Sequence, residues 1–177
     1  SERKLAKGDD CGADALILDL EDAVASERRP HARGLVREYL GARRGARSPA
    51  LFVRINPLDS AEALADLAAV VPGAPDGIVV PKTGSAADVV RLDHYLSALE
   101  ARDGIGPGAT PILPVATETA GSLFQLGSYK GSSPRLHGLT WGAEDLPAAL
   151  GATTNRGPDG ELAFVYQLAR ALCLAAA

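Results

Sequence analysis

The chain has 177 residues, 46% of them hydrophobic and 23% charged, with a formal net charge of −4. That is the composition of an ordinary globular protein, and it lacks the basic excess that nucleic-acid binding requires. No apolar run approaches the roughly 18 residues of a membrane span.

In chain order, the first short apolar run is residues 15–20 (ALILDL), which leads into the acidic cluster Asp19, Glu21 and Asp22. Residues 31–42 have the pattern of an amphipathic helix and are followed by a breaker-rich stretch at 44–49. The second run, 51–55 (LFVRI), contains Arg54 and exits through Asn56. A helix over 61–71 carries an apolar stripe at Leu64, Leu67 and Val71 and stops at Pro72-Gly73. The third run, 77–80 (GIVV), exits through Lys82. A helix over 85–102 starts with Ser85 as N-cap and Asp88 three residues on, and it ends at Gly104; that is capping-box spacing with a glycine stop. The fourth run, 112–116 (ILPVA), exits through Glu118, and the fifth, 136–141 (LHGLTW), through Glu144 and Asp145. A last helix covers about 161–176. The runs are mostly apolar rather than alternating, as parallel strands covered on both faces are.

Strand and helix alternate strictly, which predicts an α/β fold with a parallel sheet, in one domain over 1–177 because no low-complexity linker divides the chain. An open doubly wound sheet and a closed (β/α)8 barrel both meet that order. A dinucleotide-binding sheet would place its glycine fingerprint after the first strand, whereas Glu21-Asp22-Ala23-Val24 follows it here. The glycine cluster at 104–108 follows a helix and enters a strand, so it reads as a turn rather than a phosphate cradle. Strand centres near Leu18, Val53, Val79, Pro114 and Leu139 are spaced by 35, 26, 35 and 25 residues. At about 30 residues per unit, eight units take roughly 250 residues, the usual barrel size. Five clear strands therefore predict either an open sheet or an incomplete barrel. Cys11 and Cys173 lie far apart without metal-ligand spacing; as free thiols they suit a reducing cytoplasm, and no signal-peptide pattern is visible.

The strand exits carry the chemistry. In a parallel barrel all C-terminal strand ends share one mouth, where active sites sit. A single charged residue after a strand is ordinarily a solvated loop residue or the N-cap of the next helix. Five ionisable exits in succession, with Arg54 and Lys82 among acids, form a pattern. Glu118 and Asp145, two carboxylates at neighbouring exits with no His or Cys beside them, describe a hard-cation site: Mg2+ takes one or two carboxylates and leaves its other positions to water and substrate oxygens. His94 falls mid-helix, His137 at the strand end away from the mouth, and His31 at a helix start, so neither a zinc site nor a serine-type triad is supported. A metal holding a 2-oxo or carboxylate group stabilises an enolate as a carbon–carbon bond forms or breaks. Arg54 would clamp a carboxylate or the developing oxyanion, and Asp22 or Glu21, crowded by Asp19, would move a proton.

Five segments in order, 12–24 (GADALILDLEDAV), 52–58 (FVRINPL), 76–83 (DGIVVPKT), 116–123 (ATETAGSL) and 140–151 (TWGAEDLPAALG), together resemble the citrate lyase β-subunit-like family, the acyl-CoA lyase branch of the HpcH/HpaI aldolase superfamily. The resemblance spans nearly the whole chain. It implies a (β/α)8 TIM barrel, represented here by about strands two to six, with further strands beyond both ends. It implies Mg2+, with Mn2+ as its substitute, and CoA as part of the substrate. Glu118 and Asp145 match the family's metal ligands, and Arg54 matches its substrate-binding arginine. Asp19 and Glu21 match acids near the metal and its waters. Asp22 stands where the aldolase branch carries a catalytic histidine, which points toward the CoA-ester branch. Lys82 matches a lysine of the family pattern at the substrate site, in a structural or ion-pairing role. Arg28, Arg29 and Arg33 lie where family members carry basic residues that meet nucleotide phosphates, or else begin a solvated helix.

The implied activity is Mg-dependent cleavage or formation of a short 3-hydroxyacyl-CoA such as malyl-, citramalyl- or citryl-CoA, through a metal-stabilised enolate. The alternatives are a 2-oxo-acid aldolase, a hydrolase of the same thioesters, or a non-catalytic subunit of a lyase complex. The resemblance further implies a homo-oligomer, trimeric or hexameric; the free thiols predict a cytoplasmic protein, and the charge balance and short apolar runs predict no nucleic-acid or membrane partner.

Overall fold

The computed structural model describes residues 5, 7–8, 11–43, 45 and 49–177. Of the breaker-rich stretch at 44–49, residues 44 and 46–48 lie outside them. Strands β1 (Ala15–Asp19), β2 (Ala50–Arg54), β3 (Gly77–Val80) and β4 (Ile112–Pro114) form one parallel sheet in the order β1-β2-β3-β4. Helices α1 (Arg29–Ala42), α2 (Ala63–Val70) and α3 (Ala86–Asp103) make the crossovers. Strands adjacent in sequence are adjacent in the sheet, which is the winding of a barrel; a doubly wound sheet reverses its order at a switch point. The fold is α/β, with the sheet of an incomplete barrel. Among the described residues no helix is long and apolar enough to cross a membrane.

The register separates two faces. Leu18, Val53, Ile78 and Ile112 stand in one row. They pack with Val36 and Leu40 of α1, Leu67 of α2, and Leu92 and Leu96 of α3 into a single apolar core. The alternate row, Ile17, Phe52 and Gly77, points the other way. At β1 this second face is open, with Ile17 57% exposed. Gly77 is glycine for want of room: a Cβ there would come within 2.5 Å of the Phe52 ring. One step further along the same face, Asp19 pairs in register with Arg54. Asp19 and Arg54 thus stand on this second face, at the C-terminal strand ends.

The fifth run, at 136–141, does not form a regular strand. It extends the sheet by two isolated parallel bridges, Ile112 with Leu136 and Val115 with Thr140. Between them β4 advances three residues and the fifth segment four, so one extra residue is accommodated there. Pro114 stands opposite that step, and without an N–H it cannot continue the ladder. Thr140 nevertheless donates to the Pro114 carbonyl, and Ala116 donates to Thr140.

Local sequence rules account for the helix ends. Ser85 and Asp88 form the expected capping box on α3, and Gly104 closes it in the left-handed region at φ 66°. Helix α1 begins at Arg29 rather than 31, with Pro30 in its first turn, where a missing N–H leaves no bond unmade. A short helix α4 (Leu146–Leu150) follows the fifth segment, and α5 covers Phe164–Ala176. Helix α5 starts later than expected because Leu162 bridges back to Arg156. Away from the charged exits, buried Arg135 grips Glu100 with Nη1 and Nη2 at 2.7 and 2.6 Å, and its Nε donates to Asp93 at 2.6 Å.

Candidate active site at the strand exits

The acidic cluster after β1 folds back on itself. Asp19 accepts from the backbone N–H groups of Glu21 at 2.9 Å and Ala23 at 3.0 Å. The same carboxylate takes a fork from Arg54, Nε to Oδ1 at 2.8 Å and Nη2 to Oδ2 at 2.6 Å. Burial works to raise the Asp19 pKa, but these bonds outweigh it and hold the carboxyl below its ordinary value. Arg54 is pushed the other way, above its ordinary value, chiefly by the Asp19 bond.

The remaining guanidinium nitrogen, Nη1, lies 3.2 Å from Glu21 Oε2 and 3.6 Å from Asp22 Oδ2. Glu21 is buried, and burial raises its carboxyl above the usual range despite Lys82 and Arg54. Its Oε1 receives Lys82 Nζ at 2.5 Å, whereas its Oε2 accepts no hydrogen bond. Asp22 is largely exposed at the rim.

Lys82 serves the site twice. Its backbone sits in the left-handed region at φ 53°, uncommon for a residue with a side chain. In that conformation its N–H donates to Glu118 Oε2 at 2.6 Å, while its ammonium bridges Glu21 and lies 3.8 Å from Asp145 Oδ2. Asp145 occupies the N-cap position of α4 but makes no capping bond. It faces Glu118 instead. Burial first, and then the Asp145 carboxylate beside it, push Glu118 up to about 7 against the Lys82 N–H.

Seven of the exit residues named from the sequence are therefore brought together: Asp19, Glu21, Asp22, Arg54, Lys82, Glu118 and Asp145. Of the other two, Glu144 is exposed and Asn56 is buried against Asp66. His31, His94 and His137 are exposed as well. Arg33 is committed elsewhere: its Nε donates to buried Asp66 at 2.7 Å and its Nη2 pairs with Glu62. It ties α1 to α2 rather than offering a free cation to a phosphate. Sequence reasoning passed over Asp66, which also accepts from the N–H and Nδ2 of buried Asn56 at 2.8 Å each. It passed over Thr117 and Gly142 too, whose only local signal is a hydroxyl and a glycine beside the two carboxylates.

The donor set suits a hard divalent cation. Five carboxylates face two cations at this mouth, and the one-sided charge shows in Glu118, a buried acid held against a second carboxylate. Among the described residues no three His, Cys, Asp or Glu side chains converge on one point. An ion held here would take Glu118 and Asp145 and complete its shell with water or substrate oxygens, the habit of Mg2+.

A family model described as HpcH/HpaI aldolase/citrate lyase matches residues 4–177. The chain is similar to the citrate lyase subunit beta of Haemophilus influenzae, 39% identical over 163 residues that cover 89% of this chain and 55% of that protein. It is similar to a (3S)-malyl-CoA thioesterase of Cereibacter sphaeroides, 36% identical over 179 residues, covering 99% of this chain and 55% of that one. Among solved structures, protein CitE from Mycobacterium tuberculosis in complex with magnesium, acetoacetate and coenzyme A superposes with a TM-score of 0.78 at 30% identity, over 98% of this chain and 57% of that one. The chain spans about half the length of the curated relatives it matches.

Proposed function

The chain belongs to the HpcH/HpaI aldolase/citrate lyase family, and from that membership we propose that it carries the catalytic mouth of a Mg2+-dependent carbon–carbon lyase acting on a short 3-hydroxyacyl-CoA such as malyl-, citramalyl- or citryl-CoA. One observation carries the reading: Glu118 and Asp145 meet at the strand exits, and Arg54 stands across the same mouth with one guanidinium nitrogen not committed to Asp19. The similarity to a protein solved with magnesium and coenzyme A supports it.

In the cleavage direction the substrate's hydroxyl loses its proton and the bond between the carbinol carbon and the thioester's α-carbon breaks. The carbinol becomes the carbonyl of a 2-oxo acid, and a proton returns to the α-carbon to leave an acyl-CoA. Held by Glu118 and Asp145, Mg2+ would supply a Lewis-acid charge to the oxygens of the 2-oxo-acid half. Arg54, braced by Asp19, offers its Nη1 edge to a carboxylate or to charge developing on oxygen. Asp19 is the brace and not the proton carrier, because four donors already occupy its oxygens and hold it ionised. Glu21 is the better carrier: its pKa is raised, Lys82 fixes one oxygen, and the other accepts no hydrogen bond. Asp22, at the rim, is positioned to assist by way of Arg54 Nη1.

Hydrolysis of the same thioester is the second reading, favoured by similarity to a malyl-CoA thioesterase across 99% of this chain. The products separate the two: a lyase releases a 2-oxo acid and keeps the thioester, whereas a thioesterase releases a free thiol.

A further inference from the structure

We infer that Thr117 is a positioning residue that sets the separation of Glu118 and Asp145 by latching the loop that carries Asp145 onto the end of β4. The inference rests on the reading of that carboxylate pair as a divalent-cation site. The described backbone pairing between β4's end and the fifth segment reaches Thr140. Two residues later the chain is held by a side chain instead. The Gly142 N–H donates to Thr117 Oγ1 at 2.9 Å, and the Thr117 hydroxyl donates to the Gly142 carbonyl at 3.2 Å. Thr117 is fully buried and Gly142 half-buried, so the hydroxyl end of both bonds is shielded from water.

The latch bears directly on the carboxylates. A Cβ on Gly142 would lie 2.8 Å from Glu118 Cγ and 3.1 Å from Glu118 Oε1, so the Gly142 backbone is seated against the Glu118 side chain. Asp145 follows three residues later. One hydroxyl therefore fixes the loop that presses on one carboxylate and delivers the other. On the opposite side the Lys82 N–H holds Glu118 Oε2. Lys82's own turn is braced in turn by Thr83, whose hydroxyl donates to the Val115 carbonyl and accepts from Tyr129. Glu118 is thus held from both sides, and Thr117 controls the side from which Asp145 arrives.

A positioning role has a signature that general loosening lacks. Mg2+ demands near-octahedral geometry, whereas Ca2+ tolerates irregular, longer contacts. Losing the latch should therefore cost Mg2+ more than Ca2+. The test is a Mn2+ titration of the chain followed by electron paramagnetic resonance, with Mg2+ and Ca2+ as competitors, on the unaltered protein and on Thr117→Val and Thr117→Ser. Thr117→Val, which keeps the shape and removes the hydroxyl, should weaken Mg2+ by roughly tenfold or more, in the range of an outer-shell loss, and Ca2+ by clearly less. Thr117→Ser should restore the Mg2+ affinity. Should Thr117→Val lose its fold by circular dichroism, Gly142→Ala carries the same test, because its methyl drives into Glu118, and the same Mg2+-selective loss is expected. Unchanged affinity in the variant, or an equal loss for both competitors, overturns the inference while leaving the cation site standing. Failure of the unaltered chain to bind Mn2+ overturns the cation site and the inference with it.

Discussion

Arg54 takes both oxygens of Asp19 from the neighbouring strand, Nε to Oδ1 at 2.8 Å and Nη2 to Oδ2 at 2.6 Å, and the two residues are direct partners in the β1–β2 register. The fork consumes one edge of the guanidinium and aims the other at Glu21 and Asp22. Arg54→Lys keeps the charge but cannot form the fork, because an ammonium is a point donor. The variant should lose about 10²-fold or more in kcat/KM, the scale of removing one preorganised donor, with its circular dichroism spectrum unchanged. A loss under threefold would show that the fork does not organise the site.

Glu118→Gln and Asp145→Asn should each weaken Mg2+ binding, by at least the roughly 10–100-fold typical of residues one layer further out. Calorimetric titration measures it. If neither variant binds Mg2+ more weakly than the unaltered chain, other carboxylates hold the ion.

Away from the mouth, the Arg135 network should control acid stability. Burial acts to raise Glu100, but Arg135, the Gly108 and Thr110 N–H groups and their neighbours outweigh it and lower the carboxyl from 4.5 to about 2. Because the folded value lies below the unfolded one, this stabilisation is present above about pH 4.5 and is lost as pH falls toward 2. It corresponds to about 3 kcal/mol. Asp93 is lowered as well, through Ser133 and Arg135 acting against burial. Urea midpoints should therefore fall between pH 5 and pH 3. Arg135→Met should cost about 3–5 kcal/mol at pH 7, because it leaves Glu100 buried without its cation, and should flatten the acid limb. An unaltered pH profile in that variant would contradict the assignment.

Arg33 supplies a prediction that separates structure from recognition. Arg33→Met strips buried Asp66 of a charged partner and should lower stability by a few kcal/mol. It should leave the KM for an acyl-CoA unchanged. A rise in that KM without loss of stability would restore Arg33 as a phosphate ligand.

Much of this was legible from residue types and spacing. The 77–80 run forms β3 as expected, and Ser85, Asp88 and Gly104 punctuate α3 as their chemistry dictates. The charged exits could be named because each follows its own apolar run. What the one-dimensional pattern could not show was commitment between elements. Nothing near Arg33 announces that Asp66, on the next helix, will hold it. The 136–141 run has strand composition, yet Pro114 on the partner strand and one extra residue reduce it to two bridges. Asp145 resembles an ordinary N-cap until the fold turns it toward Glu118. Thr117 and Gly142 gain their meaning only when β4's end and the following loop are side by side.

The products formed from an acyl-CoA decide whether Glu118 and Asp145 hold the metal of a carbon–carbon lyase. Malyl-CoA and citramalyl-CoA are incubated with the protein, with and without Mg2+, while free 2-oxo acid and free CoA thiol are followed together. Mg2+-dependent 2-oxo acid should appear in step with loss of substrate and without matching thiol release, and Glu118→Gln should abolish it. Stoichiometric thiol with no 2-oxo acid would make the site a thioesterase, and 2-oxo acid formed equally well without a divalent cation would contradict the role given to Glu118 and Asp145.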